Sequence, residues 1–179
     1  MNRHRLFFAL YPDAEARQAL YENVKDSLPE KQGRFVPVEN LHMTLVFVGS
    51  CNDSDLECLQ SCLPEDLSFS RFRIHLDHLG YWKRPKILWA GCSEVPDTLS
   101  KLVETLRDQI RNRCNLPIES RDYQPHVTLM RKVMPEKGNI LKKTPIESVY
   151  WSITDIHLME SVSGPEGVQY RSIYRHRLA

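Results

Sequence analysis

The sequence contains one tetrapeptide pattern, His-x-Thr-Leu, in two places. The first copy spans residues 42–45 and the second spans residues 126–129, and both lie in apolar runs that favour β-strands. Because side chains alternate between the two faces of a strand, each histidine shares a face with the threonine two positions later. Each copy therefore offers an imidazole and a hydroxyl on one side of a strand. The rest of the fold must bring these two strands together if they are to form one site.

The sequence predicts the element order β-α-β-α-β-β-α-β-β-β. This mixture lacks strict βαβ alternation and favours an α+β fold with antiparallel sheets. The clearest helix has apolar residues at i, i+3, i+4 and i+7 after Pro96. Strands are predicted at residues 5–11, 41–49, 69–79, 86–92, 125–132, 148–161 and 170–178. Helices are predicted at residues 13–28, 53–63 and 97–113.

Each half of the chain repeats the order strand, helix, His-Thr strand. We therefore expect a bilobal molecule of two pseudo-symmetric lobes, with antiparallel sheets facing a central cleft and helices on the outside. No linker or low-complexity segment divides residues 1–179, which predicts a single domain.

Charge and hydropathy restrict the functional classes. The formal net charge of +1 gives no overall preference for a polyanion or a membrane surface. No apolar run approaches the roughly 20 residues that span a bilayer, and the apolar N-terminal run is too short for a signal peptide. We expect a cytoplasmic monomer with no membrane association.

The number and spacing of the five cysteines predict neither a disulfide nor a metal site. Their number is odd and no CxxC pair occurs, which argues against a disulfide framework or a zinc knuckle. Cys58 and Cys62 lie one helical turn apart, and free thiols on a helix are expected there.

The duplicated motif suits phosphodiester chemistry without a cofactor or metal. One imidazole can take a proton near neutral pH while the other gives one, because an unperturbed histidine titrates near 6.5. The hydroxyls of Thr44 and Thr128 can hold phosphate oxygens, and a cation would stabilise the phosphoryl group. Arg131 could supply that cation only if a strand end or a bulge turned it into the cleft. The residues themselves do not distinguish the acid from the base between His42 and His126.

Other chemistries lack their motifs. A histidine and a threonine two positions apart are not a usual set of metal ligands. The G-x-S-x-G turn of serine hydrolases is absent, and so are the glycine patterns of P-loop and dinucleotide-binding proteins.

The chain resembles the 2H phosphoesterases, which are named for two His-x-Thr motifs. It is most similar to the branch of RNA 2′,3′-cyclic phosphodiesterases, also called 2′-5′ RNA ligases. The resemblance extends over nearly the whole chain. The segments that carry it are Arg5-Leu-Phe-Phe-Ala-Leu10, Asn40-Leu-His-Met-Thr-Leu-Val-Phe-Val-Gly49, Leu88-Trp-Ala-Gly91, Pro125-His-Val-Thr-Leu-Met-Arg131, and the tail from Leu158-Met-Glu-Ser161 to Tyr170.

The resemblance implies an enzyme that opens a terminal 2′,3′-cyclic phosphate of RNA to a 2′-phosphate. It assigns His42 as the proton donor to the departing 3′ oxygen and His126 as the proton acceptor from water. The same chemistry in reverse would join a 5′-hydroxyl to a cyclic phosphate through a 2′-5′ linkage. Two alternatives stay open: a phosphodiesterase acting on small cyclic nucleotides or 2′-5′ oligonucleotides, and a non-catalytic module that binds RNA ends.

Some aromatic and histidine residues are weaker candidates. Base stacking is conceivable for Phe7 or Phe8, for Trp82 and for Tyr123, although core packing is expected for them. The five histidines without a threonine partner are expected to be surface or packing residues: His4, His75, His78, His157 and His176.

Overall fold

The structure is a computed structural model that describes residues 3–27, 33–63, 69–134, 144–165 and 167–179. Its strands and helices follow one another along the chain. They are β1 (His4–Leu10), α1 (Ala14–Ser27), β2 (Arg34–Phe35), β3 (Met43–Cys51), α2 (Asp53–Gln60), β4 (Phe72–Trp82), β5 (Ile87–Gly91), α3 (Asp97–Cys114), β6 (His126–Arg131), β7 (Thr144–Ile153), β8 (Asp155–Gly164) and β9 (Gly167–Arg177). A short 3-10 turn at Val38–Asn40 leads into β3.

The strands form one sheet in which all described pairs are antiparallel. The strand order is β7-β4-β5-β6-β3-β1-β8-β9, with β2 paired to β6. This order has two four-stranded halves: a first half of β3, β1, β8 and β9, and a second half of β6, β5, β4 and β7. The predicted α+β fold is confirmed, and its two halves join into a continuous sheet through β3 and β6.

The junction between the halves sets the register of the two motifs. Met43 lies opposite Val127 in the antiparallel pair of β3 and β6. His42 therefore lies across from Thr128, and Thr44 lies across from His126. Each histidine faces the threonine of the other motif, as a twofold relation between the halves requires.

The helices supply most of the opposing layer of the main core. Five apolar residues of α3 are fully buried in the stripe that the sequence predicts: Leu99, Leu102, Val103, Leu106 and Ile110. The helices also cross between the halves, because α1 contacts β7 and β6 whereas α3 contacts β3 and α2. None of the described helices is long and apolar enough to span a bilayer.

Some predicted boundaries are wrong. The single strand predicted at residues 148–161 is two strands, which pair with β4 and β1 on different halves. The reason is a shift in the alternation at Thr154: the buried residues are Val149, Trp151 and Ile153 before it, at odd positions, and Ile156 and Leu158 directly after it, at even positions. The structure also adds β2, and it extends β4 to Trp82. Leu28, the predicted end of the first helix, lies outside the described residues.

The cysteine prediction is also wrong in part. Cys58 of α2 forms a disulfide with Cys114 at the end of α3, while Cys62 is a free, buried thiol. The two bonded cysteines are 56 positions apart in the sequence. Local spacing could not reveal this pair, because only the packing of α2 on α3 brings the two residues together.

Candidate active site

Each motif ends in a β-bulge, which changes the direction in which the residues after it point. In β3 the pairing with β1 passes from Thr44 to Val46, and in β6 the pairing with β5 passes from Thr128 to Met130. The leucine of each motif is thus an extra, bulged residue. Each bulge puts two consecutive apolar residues into the core and reverses the alternation beyond it.

The bulges explain how Arg131 comes to lie beside the motif histidines. Strict alternation from His126 would point Arg131 away from the cleft, but the bulge reverses its direction. Arg131 is exposed and lines a cavity of about 190 Å³ together with His42 and Thr44. Phe47 holds the equivalent position after the first motif and lines the same cavity.

Both motif histidines are held by the same hydrogen bond. The Nδ1–H of His42 donates to the carbonyl oxygen of Asn40 at 2.8 Å. The Nδ1–H of His126 donates to the carbonyl oxygen of Gln124 at 2.9 Å. A carbonyl oxygen can only accept, so this contact fixes the tautomer and leaves Nε2 of each ring free for proton transfer.

Aromatic side chains surround the His42 ring. Its centroid lies 5.1 Å from that of Phe7 and 4.7 Å from that of Tyr170, which it meets edge-on. Tyr11 lies nearly parallel to it at 6.1 Å. Tyr11 and Tyr170 are not among the site residues predicted from the sequence, although Tyr11 continues the alternate positions of Phe7 at the end of β1. Phe8 points the other way and is fully buried in the main core, as expected.

Tryptophans support the His126 ring. Trp82 meets it edge-on at 4.6 Å between centroids, and Trp89 lies 6.3 Å away. Trp89 fits between Gly80 and Gly91, where a Cβ atom would lie 2.1 Å and 2.5 Å from the indole ring. The two glycines therefore leave the space that Trp89 fills.

The loop before the second motif is tied to the first motif. The hydroxyl of Tyr123 donates to the carbonyl oxygen of Thr44 at 3.1 Å, and burial raises the pKa of this phenol. Tyr123 therefore serves as a cross-link between the motifs. A third residue that the sequence did not predict for the site is Arg5, which lines the cavity with Arg131 and lies over the ring of Phe47 at 4.8 Å from its centroid.

The surroundings of both histidines favour the neutral imidazole by lowering its pKa. Burial lowers the pKa of His42 from 6.5 to about 4, the hydrogen bond to Asn40 opposes this, and the charge of Arg131 adds to it. Burial also lowers the pKa of His126, opposed by its contact with Gln124 and again reinforced by Arg131. At neutral pH the site therefore presents two uncharged imidazoles and at least one guanidinium.

The cleft opens into a larger groove on each side. One groove of about 640 Å³ lies beside His126 and includes Thr44, Trp82 and Arg84 in its wall. The other, of about 560 Å³, lies beyond Tyr11 and Tyr170 on the side of His42.

The remaining histidines lie apart from the motifs, with one partial exception. His4 contacts Asp53 and Glu160, and His78 contacts Asp77. His157 borders the groove beyond Tyr11, where its Nδ1 lies 2.9 Å from the hydroxyl oxygen of Ser172. Over the described ranges, no group of three or more His, Cys, Asp or Glu side chains is arranged to hold a metal ion.

Comparisons with known proteins identify relatives of this chain. It is 34% identical over 128 residues to the RNA 2′,3′-cyclic phosphodiesterase of Escherichia coli, covering 71% of each protein. It is 27% identical over 179 residues to the RNA 2′,3′-cyclic phosphodiesterase of Archaeoglobus fulgidus, covering 94% of this chain and 97% of that one.

Solved structures give the same result for the fold. The crystal structure of E. coli LigT in its apo form superposes with a TM-score of 0.87 at 27% identity, covering 99% of both chains. The complex of E. coli LigT with 3′-AMP gives a TM-score of 0.88 with the same coverage. The sequence profile of the 2′-5′ RNA ligase superfamily matches residues 11–165. With its paired His-x-Thr motifs on adjoining strands, the chain belongs to the 2′-5′ RNA ligase superfamily.

Proposed function

We propose that this protein is an RNA 2′,3′-cyclic phosphodiesterase that opens a terminal 2′,3′-cyclic phosphate to a 2′-phosphate. The observation that carries the proposal is the pair of imidazoles on adjoining strands, each fixed through Nδ1 and with no hydrogen bond at Nε2 from the residues that the structure describes. Two threonines and Arg131 beside them suit a phosphate. The relatives named RNA 2′,3′-cyclic phosphodiesterase support the same reaction.

In the proposed reaction, His126 accepts a proton from the attacking water as its oxygen bonds to phosphorus. The bond from phosphorus to the 3′ oxygen breaks, and His42 donates a proton to that oxygen. Thr44, Thr128 and Arg131 hold the non-bridging oxygens, where negative charge increases in the transition state. The product carries a 2′-phosphate and a free 3′-hydroxyl. His126 then releases its proton to solvent and His42 takes one up from solvent, which restores the starting charges of the pair.

The bound substrate must raise the pKa of His42, so that this residue can take up from solvent the proton that the acid needs. Burial and the charge of Arg131 keep the pKa of His42 well below 6.5. A bound phosphodiester anion opposes both effects, because a neighbouring negative charge favours imidazolium. The substrate thus helps to create the charged acid that protonates the 3′ oxygen.

The terminal nucleoside fits the side of the cleft where the 3′ oxygen departs. Since the donor is His42, the ribose lies on its side, next to Tyr11 and Tyr170. These rings offer stacking surfaces, which is the usual way that proteins hold unpaired RNA bases. Burial raises the pKa of Tyr11 to about 12, so its phenol stays uncharged there.

A product analysis tests this function against the alternatives. The protein is incubated with an RNA ending in a 2′,3′-cyclic phosphate, with a nucleoside 2′,3′-cyclic phosphate, and with a 2′-5′-linked RNA. Efficient conversion of the RNA end to a 2′-phosphate is expected. Binding without turnover would favour a non-catalytic module that binds RNA ends. Turnover of only the nucleoside 2′,3′-cyclic phosphate or the 2′-5′-linked RNA would favour a phosphodiesterase acting on small cyclic nucleotides or 2′-5′ oligonucleotides.

A further inference from the structure

A second guanidinium lies at the small cavity beside His42. Arg131 of β6 lines this cavity of about 190 Å³, and Arg5 of β1 lines it as well. The two arginines belong to different halves of the sheet, because β1 is a strand of the first half and β6 is a strand of the second. The proposed reaction uses Arg131 alone.

The position of Arg5 in β1 places its side chain on the cleft face. Arg5 precedes Phe7 by two positions in the same strand, so the two side chains share a face. The ring of Phe7 lies 5.1 Å from the ring of His42 between centroids. Arg5 is therefore on the same side of the sheet as His42, about 7 Å further along β1 than Phe7.

The twofold arrangement of the motifs leaves a place for a cation near Phe47. Phe47 follows His42 by five positions, as Arg131 follows His126, and a bulge precedes each of them. The first half thus has an apolar ring where the second half has a guanidinium. The guanidinium of Arg5 lies over this ring, with Cζ 4.8 Å from its centroid. Arg5 therefore brings a positive charge from β1 to the place that is equivalent to that of Arg131.

The guanidinium of Arg5 is available to an anion. Arg5 is exposed, and none of the ion pairs among the described residues includes it. By contrast, Arg171 and Arg175 of β9 are each paired with a carboxylate. Stacking on a ring uses the face of a guanidinium, whereas its N–H donors lie in its plane and stay free for oxygen atoms.

We infer that Arg5, held by the ring of Phe47, is a second phosphate-binding cation that donates to a non-bridging oxygen of the substrate phosphate. The inference rests on the proposed function, because it concerns the phosphate that lies between His42 and His126 in that reaction. The cyclic phosphodiester carries one negative charge, and a 2′-phosphate product carries about −1.5 to −2 at pH 7. Two guanidiniums on this group stabilise the charge that grows on its oxygens in the transition state, and they also bind the product.

Binding of inorganic phosphate and of a nucleoside 2′-phosphate tests the assignment without turnover. Arg5→Gln should weaken the binding of both probes about 10- to 150-fold, as expected for a lost hydrogen bond between charged groups. Arg5→Lys should recover part of the loss, because it keeps the charge without the planar fork of donors. Arg3→Gln is the matched control, since Arg3 is an exposed cation two positions earlier that does not line the cavity. Equal affinities of Arg5→Gln and Arg3→Gln, or a wild-type protein that binds neither probe, would overturn the inference.

A pH–rate profile separates a contact with the phosphate from an effect on the histidines. The charge of Arg131 lowers the pKa of both histidines, so its loss should move the pH optimum. Arg5→Gln should instead lower kcat/KM for an RNA ending in a 2′,3′-cyclic phosphate by about 10- to 150-fold and leave the optimum in place. A fall in kcat/KM together with an optimum at higher pH would mean that Arg5 acts through the protonation of the histidines, and would overturn the inference.

A double-mutant cycle tests whether the ring of Phe47 holds Arg5. Phe47→Leu should weaken phosphate binding several-fold in the wild-type background. It should have little further effect in the Arg5→Gln background, because the group that the ring holds is then absent. An effect of the same size in both backgrounds would overturn this part of the inference.

The binding and turnover measurements together separate the inference from the proposed function. Failure of the wild-type protein to hydrolyse the cyclic-phosphate RNA would overturn the proposed function, and the phosphate affinities of the wild-type protein and Arg5→Gln would still decide the inference. Hydrolysis by the wild-type protein, with phosphate affinity and kcat/KM both unchanged in Arg5→Gln, would overturn the inference and leave the proposed function standing.

Discussion

At the scale of single residues, the site depends on two imidazoles whose protonation is set by their surroundings. The Nδ1 contacts with Asn40 and Gln124 fix both rings in one tautomer. Burial and the charge of Arg131 then lower both pKa values below 6.5. An acid and base pair needs one proton between the two rings, and this singly protonated state is most populated between the two pKa values.

The first prediction concerns the pH optimum of kcat/KM, which reports the free enzyme. Because both pKa values are lowered, the optimum should lie below pH 6.5 with a bell shape. Arg131→Gln removes a charge that lowers both values, so the optimum should move to higher pH while kcat/KM falls. The measurement is a pH–rate profile with an RNA ending in a 2′,3′-cyclic phosphate.

Arg131→Lys is the control for this shift. It keeps the positive charge and should keep the optimum near that of the wild-type protein, even if the rate falls through loss of a bidentate contact. If the pH optimum of Arg131→Gln stays in place or moves to lower pH, the charge of Arg131 does not lower the pKa values of His42 and His126.

Residue patterns alone could predict part of this site. The positions of His42, Thr44, His126 and Thr128 follow from a duplicated motif in β-favouring sequence. The orientation of Arg131 could not be predicted with certainty, since it depends on a bulge that only strand pairing reveals. Tyr11 and Tyr170 were missed because their partner, the ring of His42, comes from another strand.

At the scale of elements, β4 and β5 form a platform under His126. Trp89 lies in the space left by two glycines and contacts Trp82, which meets the ring of His126 edge-on. The sequence predicted both strands but not this packing, because the glycines have a role only when the strands pair side by side.

The second prediction is that Gly91→Ala damages both stability and activity. Its Cβ would lie 2.5 Å from the Trp89 ring, which must then shift from its contact with Trp82. Overpacking of this kind typically costs about 1–3 kcal/mol, and the displacement should lower kcat. Gly164→Ala is the control, because its Cβ would meet only ordinary contact at 3.7 Å. Denaturant unfolding and steady-state kinetics measure the two effects, and equal behaviour of the two variants would contradict the account.

The third prediction concerns the disulfide that joins α2 to α3. It closes a loop with a sequence separation of 56 residues. Such cross-links typically add about 2–4 kcal/mol to the free energy of unfolding. Cys58→Ser combined with Cys114→Ser should lose this amount in urea unfolding under oxidising conditions.

Reductant provides the control for the cross-link. It should lower the stability of the wild-type protein toward that of the double variant and leave the variant unchanged. Wild-type stability that is insensitive to reductant would mean that the bond contributes nothing.

At the scale of the whole molecule, the two halves are joined by the strands that carry the two His-x-Thr motifs. The β3–β6 pair connects them, and α1 and α3 each pack on strands of the other half or across the junction. The twofold arrangement was predictable from the repeated order of elements. The single continuous sheet was not, because the pairing of β3 with β6 leaves no signal in local sequence.

The fourth prediction is that residues 1–179 unfold as a single domain in one cooperative transition. All three tryptophans, Trp82, Trp89 and Trp151, lie in the second half, so fluorescence reports on that half alone. Far-UV circular dichroism reports on the whole chain. The two unfolding curves should coincide. A fluorescence transition at a different denaturant concentration would indicate halves that unfold separately.

The central claim is that His42 and His126 act together as the acid and the base of a metal-independent phosphodiesterase. The most direct measurement is the turnover of an RNA ending in a 2′,3′-cyclic phosphate, in EDTA, by the wild-type protein and by His42→Ala, His126→Ala and the double variant. The account predicts full wild-type activity in EDTA and a loss of about 10²–10⁴-fold or more in kcat for each single variant. The double variant should lose little more, because the two residues work as a unit. Loss of wild-type activity in EDTA, or a folded single variant within tenfold of wild type, would contradict the claim.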